Sequence, residues 1–193
     1  VVSRERGIHG PPDDTPIPKE WGDAWTADHC FFDPPTPSAA SGDTLQSKSE
    51  PVFNTRVGET CALIVLDRAT KWIQGFPAKH KSAEETRMAF LHFAGPDFKP
   101  KYVYTDNAKE LNAALEQLGW PHDPSTEYRP QTNGVIERSV QRVKQGSSAV
   151  LVQSGLAQYW RHSAVKTYCF LRNIVDLIRD NKTSSELRFG EPF

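Results

Sequence analysis

The chain has 193 residues, 37% of them hydrophobic and 24% charged, which fits one domain with a real core and excludes a largely disordered polypeptide. The formal net charge of −1 argues against a dedicated nucleic-acid binder on charge alone, no apolar run is long enough to span a membrane, and the N-terminus lacks the apolar core of a signal peptide. Cys30, Cys61 and Cys169 are odd in number, widely spaced and free of any Cys-x-x-Cys pair, which argues against a zinc site or a disulfide framework and fits a reducing, intracellular compartment.

Residues 1–23 carry Pro11, Pro12, Pro16 and Pro18 among charges and read as an extended or disordered lead-in; residues 24–193 read as one domain. Residues 24–32 form the first strand candidate, bounded by Gly22 and Pro34. Asp28 lies inside it, where a buried unpaired charge would cost several kcal/mol, so it either faces solvent or serves a site. Residues 33–58, rich in Pro and Ser, read as a mobile insertion between two strands. Glu59 to Leu66 is a continuous apolar strand, Asp67 to Lys71 a tight connection, and Trp72 to Phe76 the returning strand of a hairpin. Ser82-Ala-Glu-Glu85 is a capping box that opens a helix through about Phe93, with Gly95 and Pro96 as its stop.

Tyr102 to Thr105 is a short buried strand that runs into Asp106-Asn107. An Asp at a strand end sits where α/β sheets gather functional groups, although it could equally cap the helix that follows. That helix has Leu111, Ala114, Leu115 and Leu118 on one face and closes at Gly119. Trp120 to Thr126 reads as a short strand and loop. Pro130 and the breaker pair Asn133-Gly134 then predict a turn or loop, after which Ile136, Val140 and Val143 recur at helical spacing. Glu137 sits one residue off that stripe, so its carboxylate projects beside the buried face. It could complement the helix dipole and nothing more, or it could hold a metal ion. Gly155 marks a break, and a second long helix is predicted to place Trp160, Ala164, Tyr168, Leu171, Val175 and Ile178 on one face.

Charge is unevenly spread. Residues 1–60 hold ten acids against five Lys and Arg, whereas residues 129–175 hold seven Lys and Arg against one acid, Glu137. A solvated helix face would give such a segment, and so would a phosphate-binding site around a single carboxylate.

The stretch Pro130-Gln-Thr-Asn-Gly134 ahead of Glu137 resembles the third-carboxylate motif of retroviral and retrotransposon integrases, in which a Pro-Gln-x-x-Gly loop precedes the catalytic Glu. Leu63 to Trp72 is similar to that family's central hairpin, Lys81 to Glu84 to the start of its first helix, and Tyr104 to Leu111 to its second-Asp motif. Leu171-Arg-Asn173 and Glu186 to Gly190 resemble its C-terminal signature. The shared order of these motifs makes the match specific, and residues 25–192 look like the integrase catalytic core of an LTR retrotransposon, closest to the copia type. Ala108 and Leu111 depart from the usual Gly and Phe, and the 30 residues between Asp106 and Glu137 are fewer than is usual there.

The resemblance implies an α/β, RNase H-like fold: a mixed five-stranded sheet flanked by helices. It makes Asp28, Asp106 and Glu137 the catalytic, metal-binding acids for Mg²⁺ or Mn²⁺, with two ions, puts Lys144 where the family contacts DNA and Gln131 and Asn133 in the flexible loop beside the site; Arg138, next to Glu137 on the same helix, joins them as an expected DNA-binding residue. The chemistry suits the residues, because two divalent ions flanked by carboxylates stabilise both the entering and the leaving oxygen of an in-line phosphodiester displacement. The function implied is a polynucleotidyl transferase that cleaves and joins DNA strands. DNA is then the partner, the state a homodimer or higher assembly with no membrane, and the location the nucleus or a virus-like particle. Asp33 and Asp67 are weaker rivals for the role given to Asp28. Two other functions stay open: an inactive nucleic-acid-binding or assembly module, and an RNase H-type nuclease, whose usual fourth carboxylate is hard to place, since Asp176 and Asp180 lie too far along a core helix. The sequence contains neither a His-His-Cys-Cys zinc module before the core nor a barrel after it, so the expectation is a core segment of a longer polyprotein, or a decayed or domesticated copy.

Overall fold

The computed structural model describes residues 17–32, 58–124 and 130–193, and the side chains of residues 123, 124 and 130–133 lie outside that description. Asp33, most of the Pro/Ser-rich segment and the first sixteen residues of the lead-in also lie outside the described residues.

A mixed sheet forms in the order β3-β2-β1-β4-β5. Its members are β1 (Trp25–Phe31), β2 (Cys61–Asp67), β3 (Ile73–Ala78), β4 (Val103–Thr105) and the three-residue edge β5 (His122–Pro124). β1, β2 and β3 pair antiparallel, while β4 runs parallel to both β1 and β5. Side chains alternate across the sheet. Trp25 and Ala27 of β1 join Leu63 and Val65 of β2 against α1 (Ala83–Ala94) and α2 (Lys109–Leu118). Cys30 of β1 joins Ala62, Ile64 and Leu66 on the opposite face, under Ile136, Val140 and Val143 of α3 (Pro130–Ser154) and Val165 and Cys169 of α4 (Arg161–Val175). Gly146 of α3 lets the two helices approach, since a Cβ there would run into the Tyr168 ring of α4. A small hairpin, β6 (Leu177–Arg179) and β7 (Lys182–Thr183), leads to α5 (Ser184–Phe189), which starts on a capping box between Thr183 and Glu186.

The structure departs from the sequence expectations in five places. At the end of the lead-in the Trp21 ring packs 5.3 Å from Trp25 and 5.2 Å from Phe93, because a large aromatic beside an open core gains more by burial than the chain loses in entropy. The expected loop around Gln131 and Asn133 has a helical backbone, as α3 already begins at Pro130; proline fits the first helical position, and Asn and Gly inside a helix cost only about 1 kcal/mol or less each. The capping box at Ser82 is half formed. Ser82 Oγ accepts the Glu85 N–H, but the Glu85 carboxylate takes the N–H groups of Lys79 and His80 instead of that of Ser82. The buried stripe of α4 is Ala164, Val165, Cys169 and Asn173, and Leu171 and Val175 are exposed, because this helix lies against α3 and the β3 edge together. Ile178 belongs to β6, not to the helix.

Asp67, a rival for the first metal acid, is a structural residue. It is fully buried at the end of β2, where its carboxylate accepts the Gly22 N–H at 3.0 Å and both the N–H and hydroxyl of Thr70 at 2.7 and 2.8 Å. Asp176 caps the C-terminus of α4, and Asp180 sits in the β6–β7 turn at positive φ.

Candidate active site

Parallel pairing places the two aspartates. Ala27 of β1 is in register with Thr105 of β4, so the next residues, Asp28 and Asp106, leave neighbouring strands side by side. Adjacent strands lie about 4.8 Å apart. Alternation sends Ala27 and Thr105 toward α1 and α2, so Asp28 and Asp106 emerge on the α3 face. There α3 packs its Ile136–Val140–Val143 stripe onto β1 and β2, which brings Glu137, exposed and one residue off the stripe, to the rim of the aspartate pair.

The electrostatics agree with that placement. The Asp28 carboxyl is pushed up from its ordinary 3.8 to about 6, first by burial and then by the negative charge of Asp106, with a further contribution from Glu137. The His29 N–H and the Lys81 ammonium act in the opposite direction. Asp106 does not cap α2, whose N-cap is Ala108 with no side-chain bond. Instead its Oδ1 accepts the Ala108 N–H at 3.3 Å, which turns the chain and fixes the carboxylate at the strand end.

Two neighbours were not singled out by sequence pattern. Lys81, just before α1, is ion-paired with Glu110 of α2 and is a cation beside Asp28; the sequence showed it only as the first residue of the integrase-like Lys81 to Glu84 stretch, with no role attached. His29 is buried on the other face of β1, with its Nε2 3.4 Å from Thr86 Oγ1, and burial pushes its imidazole down to about 4, so it is neutral.

Of the expected DNA-binding residues, Arg138 is exposed on α3 with its Nε donating to the Gly134 carbonyl at 2.8 Å. Lys144 is partly exposed two turns beyond Glu137. Gln131 and Asn133 have side chains outside the described residues. Among the described residues, no group of three or more His, Cys, Asp or Glu side chains is gathered closely enough to hold a metal ion. The donor chemistry nonetheless fits a hard divalent cation. Mg²⁺ usually keeps several waters and takes one or two carboxylates plus substrate phosphate, and two adjacent aspartates that repel each other meet that need.

Burial, together with that repulsion, has a measurable consequence. Asp28 binds its proton more tightly folded than unfolded, so its stabilising contribution is full below pH ~4 and is lost as pH rises through about 6. In metal-free buffer, Asp28→Asn is therefore expected to raise stability near neutral pH by on the order of 1–2 kcal/mol, after discounting the shift for solvent screening, and to change little near pH 4. Thermal melts at the two pH values test this; a gain equal at both would mean that burial and the neighbouring acids do not hold this carboxyl above its ordinary value.

No protein-family model matches the chain. Its sequence is similar to retroviral polyproteins. It is 26% identical over 136 residues to the Gag-Pol polyprotein of baboon endogenous virus (strain M7), covering 67% of this chain and 8% of the polyprotein. It is 25% identical over 136 residues to the Pol polyprotein of feline endogenous virus ECE1, covering 67% and 13%. It is 28% identical over 145 residues to the Pro-Pol polyprotein of feline foamy virus, covering 69% and 12%. The chain thus spans about a tenth of the length of these relatives. Among solved structures, the HTLV-2 integrase catalytic core domain in complex with magnesium superposes with a TM-score of 0.60 at 15% identity, covering 88% of this chain and 97% of that one. A simian T-cell lymphotropic virus intasome in complex with a PP2A regulatory subunit gives 0.62 at 16%, covering 89% and 58%. The fold is that of these integrase catalytic cores.

Proposed function

We propose, from the integrase-core fold as premise, that this chain is the catalytic core of a polynucleotidyl transferase that cleaves and joins DNA strands with Mg²⁺ or Mn²⁺ at Asp28, Asp106 and Glu137. The observation that carries this reading is the β1–β4 register, which sets Asp28 beside Asp106 on the face that α3 completes with Glu137. In this reading the two aspartates, with Glu137 at the rim, would hold two divalent ions. Bound there, the ions would supply Lewis-acid activation and charge neutralisation for an in-line displacement at phosphorus. The chain's own residues do the rest. The His29 N–H and the Ala108 N–H orient the two aspartates, and the Lys81–Glu110 pair holds a positive charge beside Asp28. Arg138 and Lys144 line α3 beyond Glu137, where cations would fix the register of the phosphate backbone. A homodimer or larger assembly acting on DNA ends accords with the integrase-core fold.

The test is a metal titration with a branched DNA substrate, run beside an RNA–DNA hybrid. Mg²⁺- or Mn²⁺-dependent cleavage and resealing of the branched DNA supports the reading. Cleavage of the hybrid alone points to an RNase H-type nuclease, and metal-independent binding without turnover to an inactive module.

Lys144→Gln is expected to weaken DNA binding alike for all sequences and to lower the slope of log affinity against log salt by about 0.9, one phosphate's worth on duplex DNA. An unchanged slope would mean that this helix does not face DNA.

A further inference from the structure

Where β1 and β4 run out into Asp28 and Asp106, one ion pair joins the starts of two helices. Lys81 stands just before α1, and Glu110 lies in the first turn of α2, four residues beyond Asp106. The turn that carries Lys81 is tied to the helix it precedes. The Glu85 carboxylate accepts the N–H groups of Lys79 and His80 at 3.3 and 3.0 Å, and the Ser82 hydroxyl lies 3.2 Å from it. Lys81 therefore leaves a fixed stretch of backbone. Its ammonium lies 5.8 Å from the centre of the Phe31 ring, at the end of β1 and three residues past Asp28. The pair is sheltered, with the Lys81 side chain 31% exposed and that of Glu110 18%. The buried Glu110 Oε1 has no other partner among the described residues, so this carboxylate anchors the ammonium. The Lys81 charge also reaches the Asp28 carboxyl, where it opposes Asp106 and Glu137. A cation fixed there offsets the repulsion of the acids in the metal-free protein and repels a divalent ion drawn to them.

We propose that Lys81, anchored by Glu110, is the resident counter-ion of the acid pair, and that this ion pair sets how tightly the site takes a divalent cation. The inference rests on the metal-site reading above and deepens it. Lys81 is a positioning residue here: it acts through Asp28 and touches no reacting atom. A purely structural Lys81 would leave metal binding unchanged or weaken it when removed, whereas a counter-ion holds it down.

The experiment measures Mn²⁺ binding to the DNA-free protein, by the paramagnetic resonance of the unbound ion, and thermal melts in EDTA, so neither readout needs turnover. Lys81→Gln is expected to tighten Mn²⁺ binding roughly 5-fold or more, because it removes a positive charge that faces a doubly charged ion. Lys81→Arg should bind as wild type. Lys81→Gln combined with Glu110→Gln leaves no stranded carboxylate and should still bind Mn²⁺ more tightly than wild type. Lys101→Gln removes the cation of a different ion pair, with Asp23 at the other end of β1 and β4, and should leave the affinity as it was. In EDTA near neutral pH, Lys81→Gln should lower the melting temperature of the wild type by about 1–2 °C more than that of Asp28→Asn, where the charge it offsets is gone. Unchanged Mn²⁺ affinity in Lys81→Gln, an equal gain in Lys101→Gln, or an equal melting loss in both backgrounds would each overturn the assignment. So would a gain lost in the combined variant, which would make Glu110 itself a ligand. A wild type that binds no Mn²⁺ would overturn the metal-site reading, and this inference with it.

Discussion

Asp106→Asn and Glu137→Gln are each expected to lower metal-dependent cleavage of branched DNA by roughly 10³-fold or more while leaving the fold intact. Carboxylate-bound ions supply several kcal/mol of charge stabilisation at phosphorus, and each 1.36 kcal/mol is tenfold in rate. The substitutions keep shape and remove charge. Asn at position 106 still accepts the Ala108 N–H that turns the chain after β4, and position 137 is exposed on α3 with no packing to lose. Asp28→Asn should be as inactive but more stable than wild type near neutral pH, because it removes a carboxylate raised to about 6 by burial and by Asp106. Loss of activity joined to gain of stability is the mark of a site that stores repulsion for a cation, and a packing residue would lose both. Single-turnover cleavage with melts of each variant makes the test. Wild-type turnover by either Asp106→Asn or Glu137→Gln would remove these acids from the chemistry. A wild-type protein that binds DNA without cutting it would leave the fold as an assembly module.

What the sequence disclosed and what it did not divide along contact range. Strand alternation, the Gly119 stop and the Ile136–Val140–Val143 stripe are local patterns, so β1, α2 and most of α3 could be read directly, whereas grouping Asp28, Asp106 and Glu137 into one site came only from the integrase-like motifs. The roles of Asp67, Asn173 and Arg188 could not, because each is fixed by a partner far along the chain. Asp67 answers to Gly22 over 45 residues. Arg188 donates to the Phe93 carbonyl over 95 residues and stacks 3.7 Å over Trp21 and 4.7 Å over Trp72, drawing α5, the lead-in and the β2–β3 hairpin together. A charged residue near a chain end carries no pattern that predicts an aromatic cage. The exposed face of α4 was misjudged for a related reason: helical spacing alone cannot say that two neighbours, α3 and β3, divide its surface.

Asn173 is the test of that long-range order. It stood in the sequence as part of a signature with no physical reason attached, and the structure supplies one. β3 is the edge of the sheet, and the outward backbone groups of Ile73 would be left without a strand to pair with. Asn173, 1% exposed, stands in for that strand: its Oδ1 accepts the Ile73 N–H at 3.0 Å, and its Nδ2 donates to the Ile73 carbonyl at 2.8 Å. Further along, Gly75 admits Val165 and Cys169 of α4, so the helix covers the rest of the edge. Asn173→Ala is therefore expected to strand two buried backbone groups at once, at about 1–3 kcal/mol each. A loss of about 3 kcal/mol corresponds to a fall in melting temperature of roughly 6–12 °C for a domain of this size. The β3 amides should lose exchange protection ahead of those of β1, and the uncovered edge should promote self-association, as unpaired strand edges do. Asn173→Asp separates the two bonds, because it keeps the acceptor for the Ile73 N–H and loses the donor to the Ile73 carbonyl. Melts and hydrogen exchange on both variants decide the matter. If Asn173→Ala melts with the wild type and β3 stays protected, the amide is not what closes the sheet edge.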